Sequence, residues 1–328
     1  MTINKDSLLS VISPCYNEEE SIDEFITRTT AVLEEHFRNY ELLLVDDGSK
    51  DRTVEKIAQH QRNNPNIRLI RLSRNFGKEV AVTAGLEHST GEVVVMLDSD
   101  LQDPPSLIPQ LIEKLDTGYD IVSAQHTIRK KETWIKKSTS KLFYKLASHM
   151  TGLHIPNTVG DYRVMRRKVV NAVTSVKDNV RYMKMIYAYV GFRNATVLYE
   201  REPRFAGETK YNYPRLIAAA FDAIISFSDR PLRYISIMCV GISAFAFLLT
   251  VYVILYKILA GNTSEIANGW TSLVVLINMM FCLLFAFLAI ISEYISRILR
   301  ESKNRPLYFA EEIRGGRTEY PVFLSNKQ

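Results

Sequence analysis

Over residues 7–125 short apolar runs alternate with stretches of helical periodicity. Strands are expected at Leu8–Ile12, Leu42–Val45, Arg68–Leu72, Val93–Leu97 and Asp120–Ala124, and a further one at Ala195–Tyr199. Between the first five, helices are expected at Glu19–Phe37, Thr53–Arg62, Lys78–His88 and Ser106–Leu115. A βαβα succession of this kind implies a largely parallel sheet covered on both faces. The carboxy-terminal third has a different pattern. Tyr234–Tyr256 and Trp270–Ser292 carry no charge, and each is long enough to cross a hydrocarbon core of about 30 Å as a helix. Tyr213–Ser228 sets Leu216, Ile217, Ala220, Phe221, Ile224, Ile225 and Phe227 on one wide apolar face, as a helix lying in a membrane interface would. The expected organisation is therefore a 1–212 α/β domain, a 213–233 interface helix, a 234–292 two-helix membrane region and a 293–328 tail.

Charge adds orientation. Lysine and arginine number 41 against 36 acids, a net charge of only +5, so placement matters more than excess. Arg230 and Arg233 precede the first span, and Arg297, Arg300, Lys303 and Arg305 follow the second, whereas the link between them holds a single lysine. The positive-inside rule puts both outer ends in the cytoplasm, making a multi-pass protein of the cytoplasmic membrane with a cytoplasmic domain. Cys15, Cys239 and Cys282 have no metal-type spacing, which fits a reducing compartment, and the first residues contain no apolar run that would read as a signal peptide. Arg129, Lys130, Lys131, Lys136, Lys137, Lys141 and Lys145 alternate with Trp134, Ile135, Leu142, Phe143 and Leu146. Such a basic amphipathic stretch suits an anionic bilayer surface, and with two spans nearby a lipid partner is expected rather than nucleic acid.

The chemistry lies at the strand ends. In "VVVMLDSDLQDPPSLI" a buried-strand run breaks into Asp98, Asp100 and Asp103. Carboxylates this close repel unless a cation or polar ligand lies between them, and the carboxyl ends of strands are where open α/β sheets bind ligands. The plainer alternative is a loop whose acids cap the next helix. "SPCYNEEE" after the first strand and "VDDGSKDRT" after the second belong on the same edge; there Asp51 is expected as a helix cap and the Asp46–Asp47 pair as ligand contacts. There is no G-x-G-x-x-G, no P-loop and no EF-hand spacing. Carboxylate and amide oxygens suit Mg²⁺ or Mn²⁺, which bridge to substrate phosphates. The acids are thus expected to hold a metal, and the metal a diphosphate.

The ordered segments "VISPCYNEEES", "LLLVDDGSKDRT", "LSRNFGKEVAVTAGL", "MLDSDLQDPP", "VGDYRVMRR" and "FAGETKY", followed by two apolar spans, carry a resemblance. The chain resembles the family-two glycosyltransferases that charge polyprenyl phosphates, bactoprenol glucosyltransferases foremost and dolichol-phosphate mannose synthases more distantly. The resemblance implies a GT-A (Rossmann-like) nucleotide-sugar domain. It implies that Pro14, Tyr16 and Glu18 line the nucleotide, that Asp46 and Asp47 contact base and ribose, and that Asp98 and Asp100 form a D-x-D motif. Asp100 and Gln102 would be the most direct metal contacts, Asp161 would lie near the reacting centre, and Lys210 would contact phosphate. Arg129, Lys137, Arg163, Arg201 and Arg204 join Lys210 as candidates for the acceptor phosphate.

The implied reaction is an inverting transfer to undecaprenyl phosphate at the cytoplasmic face, supplying a lipid-linked sugar for cell-surface glycan modification such as that of O-antigen. UDP-glucose is the expected donor, with GDP-mannose, UDP-galactose and a modified pentose as alternatives, and a homo-oligomer is expected. A phosphate monoester has a second pKa of about 6 and needs no strong base near neutrality, so Asp161 is open to two roles, as a base or as an orienting residue. A processive polysaccharide synthase would add a Q-x-x-R-W motif and more spans, which this sequence lacks. A silent membrane scaffold would have no use for the acidic motifs, since buried acids are a liability.

Overall fold

The computed structural model describes residues 7–126, 159–178, 181–200, 269–303 and 305–315, with isolated positions between 237 and 259. The chain divides into two units, Met1–Ala223 with Pro306–Gln328, and Ile224–Arg305.

The first unit is built on an eight-stranded sheet. β1 (Leu9–Cys15) and β2 (Tyr40–Asp46) are buried at every position, as strands covered on both faces must be. They are followed by β3 (Ile67–Leu72), β4 (Val93–Met96), β5 (Ile121–His126), β6 (Val159–Arg166), β7 (Asn194–Tyr199) and β8 (Ala310–Arg314). The order across the sheet is β7-β5-β6-β4-β1-β2-β3-β8. β1, β2, β3 and β4 run parallel, and β7 runs parallel to β5. The helices are α1 (Ile22–His36), α2 (Thr53–Asn63), α3 (Lys78–His88), α4 (Ile108–Asp116), α5 (Arg167–Ser175) and α6 (Met183–Val190). All the elements expected in this region form, with ends shifted by a few residues, and a 3₁₀ turn at Pro105–Leu107 precedes α4.

On one face Phe25, Ile26 and Leu33 of α1, Ile57 of α2 and Leu111 and Leu115 of α4 close over Val11, Leu42, Leu44 and Val95. Each such side chain contributes about 1.5–3 kcal/mol on leaving water. On the other face α3 packs on β1 and β2. Its approach depends on Gly85, where a Cβ would stand 2.3 Å from Ile12 Cγ2 and 3.2 Å from Val45 Cγ2.

The sheet is mixed rather than largely parallel. β6, which the sequence pattern did not predict, is inserted antiparallel between β4 and β5. β8 pairs antiparallel with β3 at the far edge. It comes from the stretch 293–328 expected to be a tail, and it is well tied. Ser73 N–H donates to the Phe309 carbonyl at 2.9 Å, Gln61 Nε2 to the Arg314 carbonyl at 3.3 Å, and Tyr308 Oη to Glu87 Oε2 at 2.7 Å.

In the second unit α7 (Trp270–Ser302) runs ten residues past the expected end at Ser292. Within it Leu276–Ser296 is long and apolar enough to cross a membrane. Met280, Phe285, Leu288 and Ile295 are exposed, unlike the buried side chains of a soluble core helix. The other expected span, Tyr234–Tyr256, falls largely outside the described residues, as do the 213–233 helix and the basic stretch from Arg129 to Lys145.

Candidate active site

The parallel register sets Cys15 beside Asp46 and Ile12 beside Met96, so the loops leaving β1, β2 and β4 emerge along one edge of the sheet. β6 runs the opposite way and brings its amino end there. With Arg163 paired to Met96, Asp161 lies beyond the end of β4, next to the loop that begins at Leu97. Four segments distant in sequence thus bring their acids to one place.

The first two loops are stitched together. Asn17 N–H donates to Ser49 Oγ and Lys50 N–H to Asn17 Oδ1, both at 2.9 Å, while Glu18 N–H donates to Thr53 Oγ1 at 2.9 Å. Asn17 takes a left-handed φ of 52°, which asparagine tolerates. The Glu18 carboxylate accepts from Ser21 Oγ at 2.7 Å, and Tyr16 is half-buried. Asp51 accepts from Thr53 N–H at 3.0 Å at the start of α2, the expected capping role. Pro14 joins this edge to the β4 loop, its carbonyl accepting from Ser99 Oγ at 3.1 Å.

Asp46 and Asp47 divide their duties. Asp47 accepts from Phe76 N–H at 2.7 Å and Gly77 N–H at 2.9 Å, so it anchors the loop before α3. Gly48 between the loops is left-handed, with φ 72°, and a Cβ there would meet the Arg74 carbonyl carbon at 2.6 Å. Asp46 accepts from Ser49 N–H at 3.1 Å through Oδ2, but its buried Oδ1 has no partner. Burial pushes both carboxyl groups above their ordinary range. Of the pair, Asp46 has the buried oxygen without a partner, and Asp47 also anchors the loop before α3.

The three acids after β4 also separate. Asp103 is 2% exposed and accepts a short hydrogen bond from Tyr199 Oη, which ties the loop to β7. The expectation of three acids around one cation therefore reduces to Asp98 and Asp100. Asp100 Oδ1 accepts from Gln102 N–H at 3.1 Å, and Leu101 between them takes a left-handed φ of 58°. That conformation is costly for a branched residue and is typical of loops shaped for function. Asp98 Oδ1 is buried without a partner, and burial raises its carboxyl pKa. Two carboxylates and a side-chain amide offer hard oxygen donors of the kind that Mg²⁺ or Mn²⁺ takes. Among the described residues no three histidine, cysteine or acidic side chains converge as a metal cluster.

Lys78, to which the sequence reading assigned no role, joins these groups. Its Nζ lies 2.7 Å from Asp98 Oδ2 and 2.8 Å from Asp161 Oδ2. Burial alone would lower the ammonium pKa, but the charges of Asp98 and Asp161 outweigh it and hold it above the ordinary lysine range. Burial would likewise raise Asp161, yet Lys78, Lys184 and Arg163 together hold it well below the usual carboxylate range. One signal in the sequence pointed to Lys78: a cation at the first residue of a helix opposes the helix dipole. Beside it, burial and Asp161 push the Glu79 carboxyl up to about 7.

Arg163, expected at the acceptor phosphate, is 3% exposed. It donates to the carbonyls of Asp161 at 3.2 Å and Gly160 at 2.9 Å, and its guanidinium lies 3.9 Å above the Tyr187 ring. Its hydrogen bonds brace the start of β6, which carries Asp161, while the ring it lies over belongs to α6, remote in sequence. Arg129, Lys137, Arg201, Arg204 and Lys210 lie outside the described residues.

Residues 10–174 match the family model for Glycosyl transferase family 2. An uncharacterized glycosyltransferase of Synechocystis sp. is 41% identical over 94% of this chain and 96% of its own. The uncharacterized glycosyltransferase YkcC of Bacillus subtilis is 40% identical over 93% of this chain and 94% of its own. The prophage bactoprenol glucosyl transferase homolog of Escherichia coli is 35% identical over 93% of this chain and 99% of its own. An acid-lined edge on a mixed GT-A-like sheet and full-length likeness to sugar-transferring enzymes agree, and the chain belongs to glycosyl transferase family 2.

Proposed function

We propose that this enzyme transfers glucose from UDP-glucose to undecaprenyl phosphate at the cytoplasmic face of the membrane. The observation that carries the reading is the meeting of Asp98 and Asp161 on the Lys78 ammonium at one sheet edge, with Asp98 Oδ1 and Asp46 Oδ1 buried and unpartnered. The choice of acceptor and sugar is supported by relatives named bactoprenol glucosyl transferase, which are 35% identical over 99% of their length.

In this mechanism Asp46 orients the nucleoside, while Asp98, Asp100 and Gln102 are the residues that would hold Mg²⁺ or Mn²⁺. Charge stabilisation of the departing diphosphate is the chemistry that such an ion would supply when bound. A phosphate oxygen of the lipid forms a bond to the anomeric carbon, and the bond from that carbon to the diphosphate oxygen breaks with its electron pair leaving on UDP. The anomeric configuration inverts. The acceptor is mostly dianionic near neutrality, with a second pKa of about 6, so no proton need be removed. Asp161, pinned by Lys78 at the start of β6 where Arg163 braces the backbone, positions the reacting groups.

The return of the chain to its first unit bears on topology. β7 and β8 belong to one sheet, so any membrane passage between Tyr199 and Ala310 must start and finish on the same side. One crossing through Leu276–Ser296 cannot do that, and the uncharged stretch Tyr234–Tyr256 is the natural second crossing. Both connections to the catalytic unit then lie in the cytoplasm, where the sugar nucleotide is made.

The test is transfer of labelled sugar from UDP-glucose, GDP-mannose and UDP-galactose to extractable lipid by the purified full chain with undecaprenyl phosphate and Mn²⁺. Labelled lipid from UDP-glucose is the expected product. Labelled polymer, or no product with any donor, would overturn the proposal.

A further inference from the structure

Lys78 links three elements through one ammonium group. It is the first residue of α3, Asp98 belongs to the loop after β4, and Asp161 lies near the start of β6. The bridge to both carboxylates is direct, at 2.7 and 2.8 Å. The backbone around it is fixed, because Asp47 holds Phe76 and Gly77 and Gly77 takes a φ of 102°. The side chain is an unbranched stem with a mobile cationic end, and it is 37% exposed. Lys78 can therefore change partners without moving its helix.

Asp98 faces competing demands. Its Oδ2 is taken by the ammonium while its Oδ1 is buried without a partner. A divalent cation drawn to Asp98 would stand within a few ångströms of a lysine charge, and like charges at such range repel strongly. A cation arriving alone thus meets an acid already neutralised. A nucleoside diphosphate changes the balance by bringing anionic oxygens that can accept the displaced ammonium.

We propose that Lys78 is an internal counter-ion that keeps the divalent cation off Asp98 until a nucleoside diphosphate arrives, and then moves from Asp98 to the diphosphate. The metal site is in this way conditional on the donor. Asp161 holds the same ammonium from the other side and sets how far it swings. The inference rests on the reading of Asp98 as a metal-binding acid, but not on the identity of the sugar or acceptor.

Mn²⁺ binding to the full chain in detergent, followed by electron paramagnetic resonance with and without UDP or GDP, tests this. The wild type should bind Mn²⁺ weakly alone and at least about tenfold more tightly with one of the nucleotides. Lys78→Met and Lys78→Gln should bind Mn²⁺ alone at least about tenfold more tightly than wild type and lose most of the nucleotide's effect. Lys78→Arg, which retains the charge, should restore the wild-type pattern; a merely structural lysine would give no such rescue. Folded neutral variants that bind Mn²⁺ no better than wild type would overturn the proposal. Should neither neutral variant fold, the wild type decides, since equal Mn²⁺ affinity with and without both nucleotides is incompatible with a counter-ion gate. Lipid glycosylation is measured separately, so failure of the proposed reaction leaves this result interpretable.

Discussion

Replacing Asp161 by asparagine separates positioning from proton transfer. The carboxylate is held by Lys78 at 2.8 Å, at the start of β6 where Arg163 braces the carbonyls. An ordinary aspartate has a pKa of about 3.9, about two units under the second pKa of a phosphate monoester, so taking its proton is already about 3 kcal/mol uphill. The cations around Asp161 lower its pKa further and make it a worse base still. Asparagine keeps the shape and loses the anchor to Lys78, and misplacement of reacting groups by about 1 Å costs on the order of 10²-fold. The expected result is therefore a loss of about that size in kcat/KM for the lipid acceptor, at every pH from about 5.5 to 8. A base would behave differently. Between about pH 7.5 and 5.5 the dianionic fraction of the acceptor falls from about 97 to about 24 per cent. A variant lacking a base could use only that fraction, and its defect would deepen about fourfold over the range. Acceptor titrations of wild type and Asp161→Asn across the range, each with saturating donor, distinguish the two. A defect that grows by this factor or more at acid pH would refute positioning.

Other outcomes follow from the same geometry. Asp100→Asn should reduce sugar transfer by about 10²-fold or more, and excess EDTA should silence the wild type; full activity in EDTA would remove the metal from the scheme. Tyr308→Ala should destabilise the catalytic unit by about 3–5 kcal/mol, because the ring is 7% exposed, packs edge-on against His88 and donates to Glu87. A thermal unfolding midpoint equal to wild type would show that the Tyr308 anchor ahead of β8 adds nothing to the domain. With Cys239 and Cys282 replaced, an impermeant thiol reagent on intact cells should label Asn262→Cys but not Ser7→Cys; the reverse pattern would overturn the cytoplasmic placement.

The central strands were legible because their burial is written locally. β1, β2 and β4 are mostly apolar runs buried at every position and followed by loops rich in acids, and a run covered on both faces has few other readings. What the pattern could not show depended on partners remote in sequence. β6 reads as polar, with Asp161, Arg163 and Arg166 among its residues, and it is buried only because those arginines find carbonyls and a ring elsewhere. Arg166 donates to the carbonyls of Tyr119 and Leu115, and the Arg163 guanidinium lies over the Tyr187 ring. The acids after β4 show the same limit on a smaller scale. Asp98 and Asp103 look alike in sequence, and only Tyr199, folded back on β7, marks the second as structural.

β8 is the strongest case, since "AEEIR" carries three charges in five residues and has no preference for the sheet on its own. It becomes a strand because β3 would otherwise expose an unpaired edge, and edges left open invite association with other chains. Arg71 on β3 lies 3.4 Å from Glu311 of β8 and 3.9 Å from Asp46 at the site, so the returning segment also balances the charge next to the proposed nucleoside position. A stretch that reads as a charged tail thus closes the sheet and sends the chain back to the unit it left. Under the proposed membrane topology, that return, more than the hydropathy of any one helix, is what would make the number of crossings even.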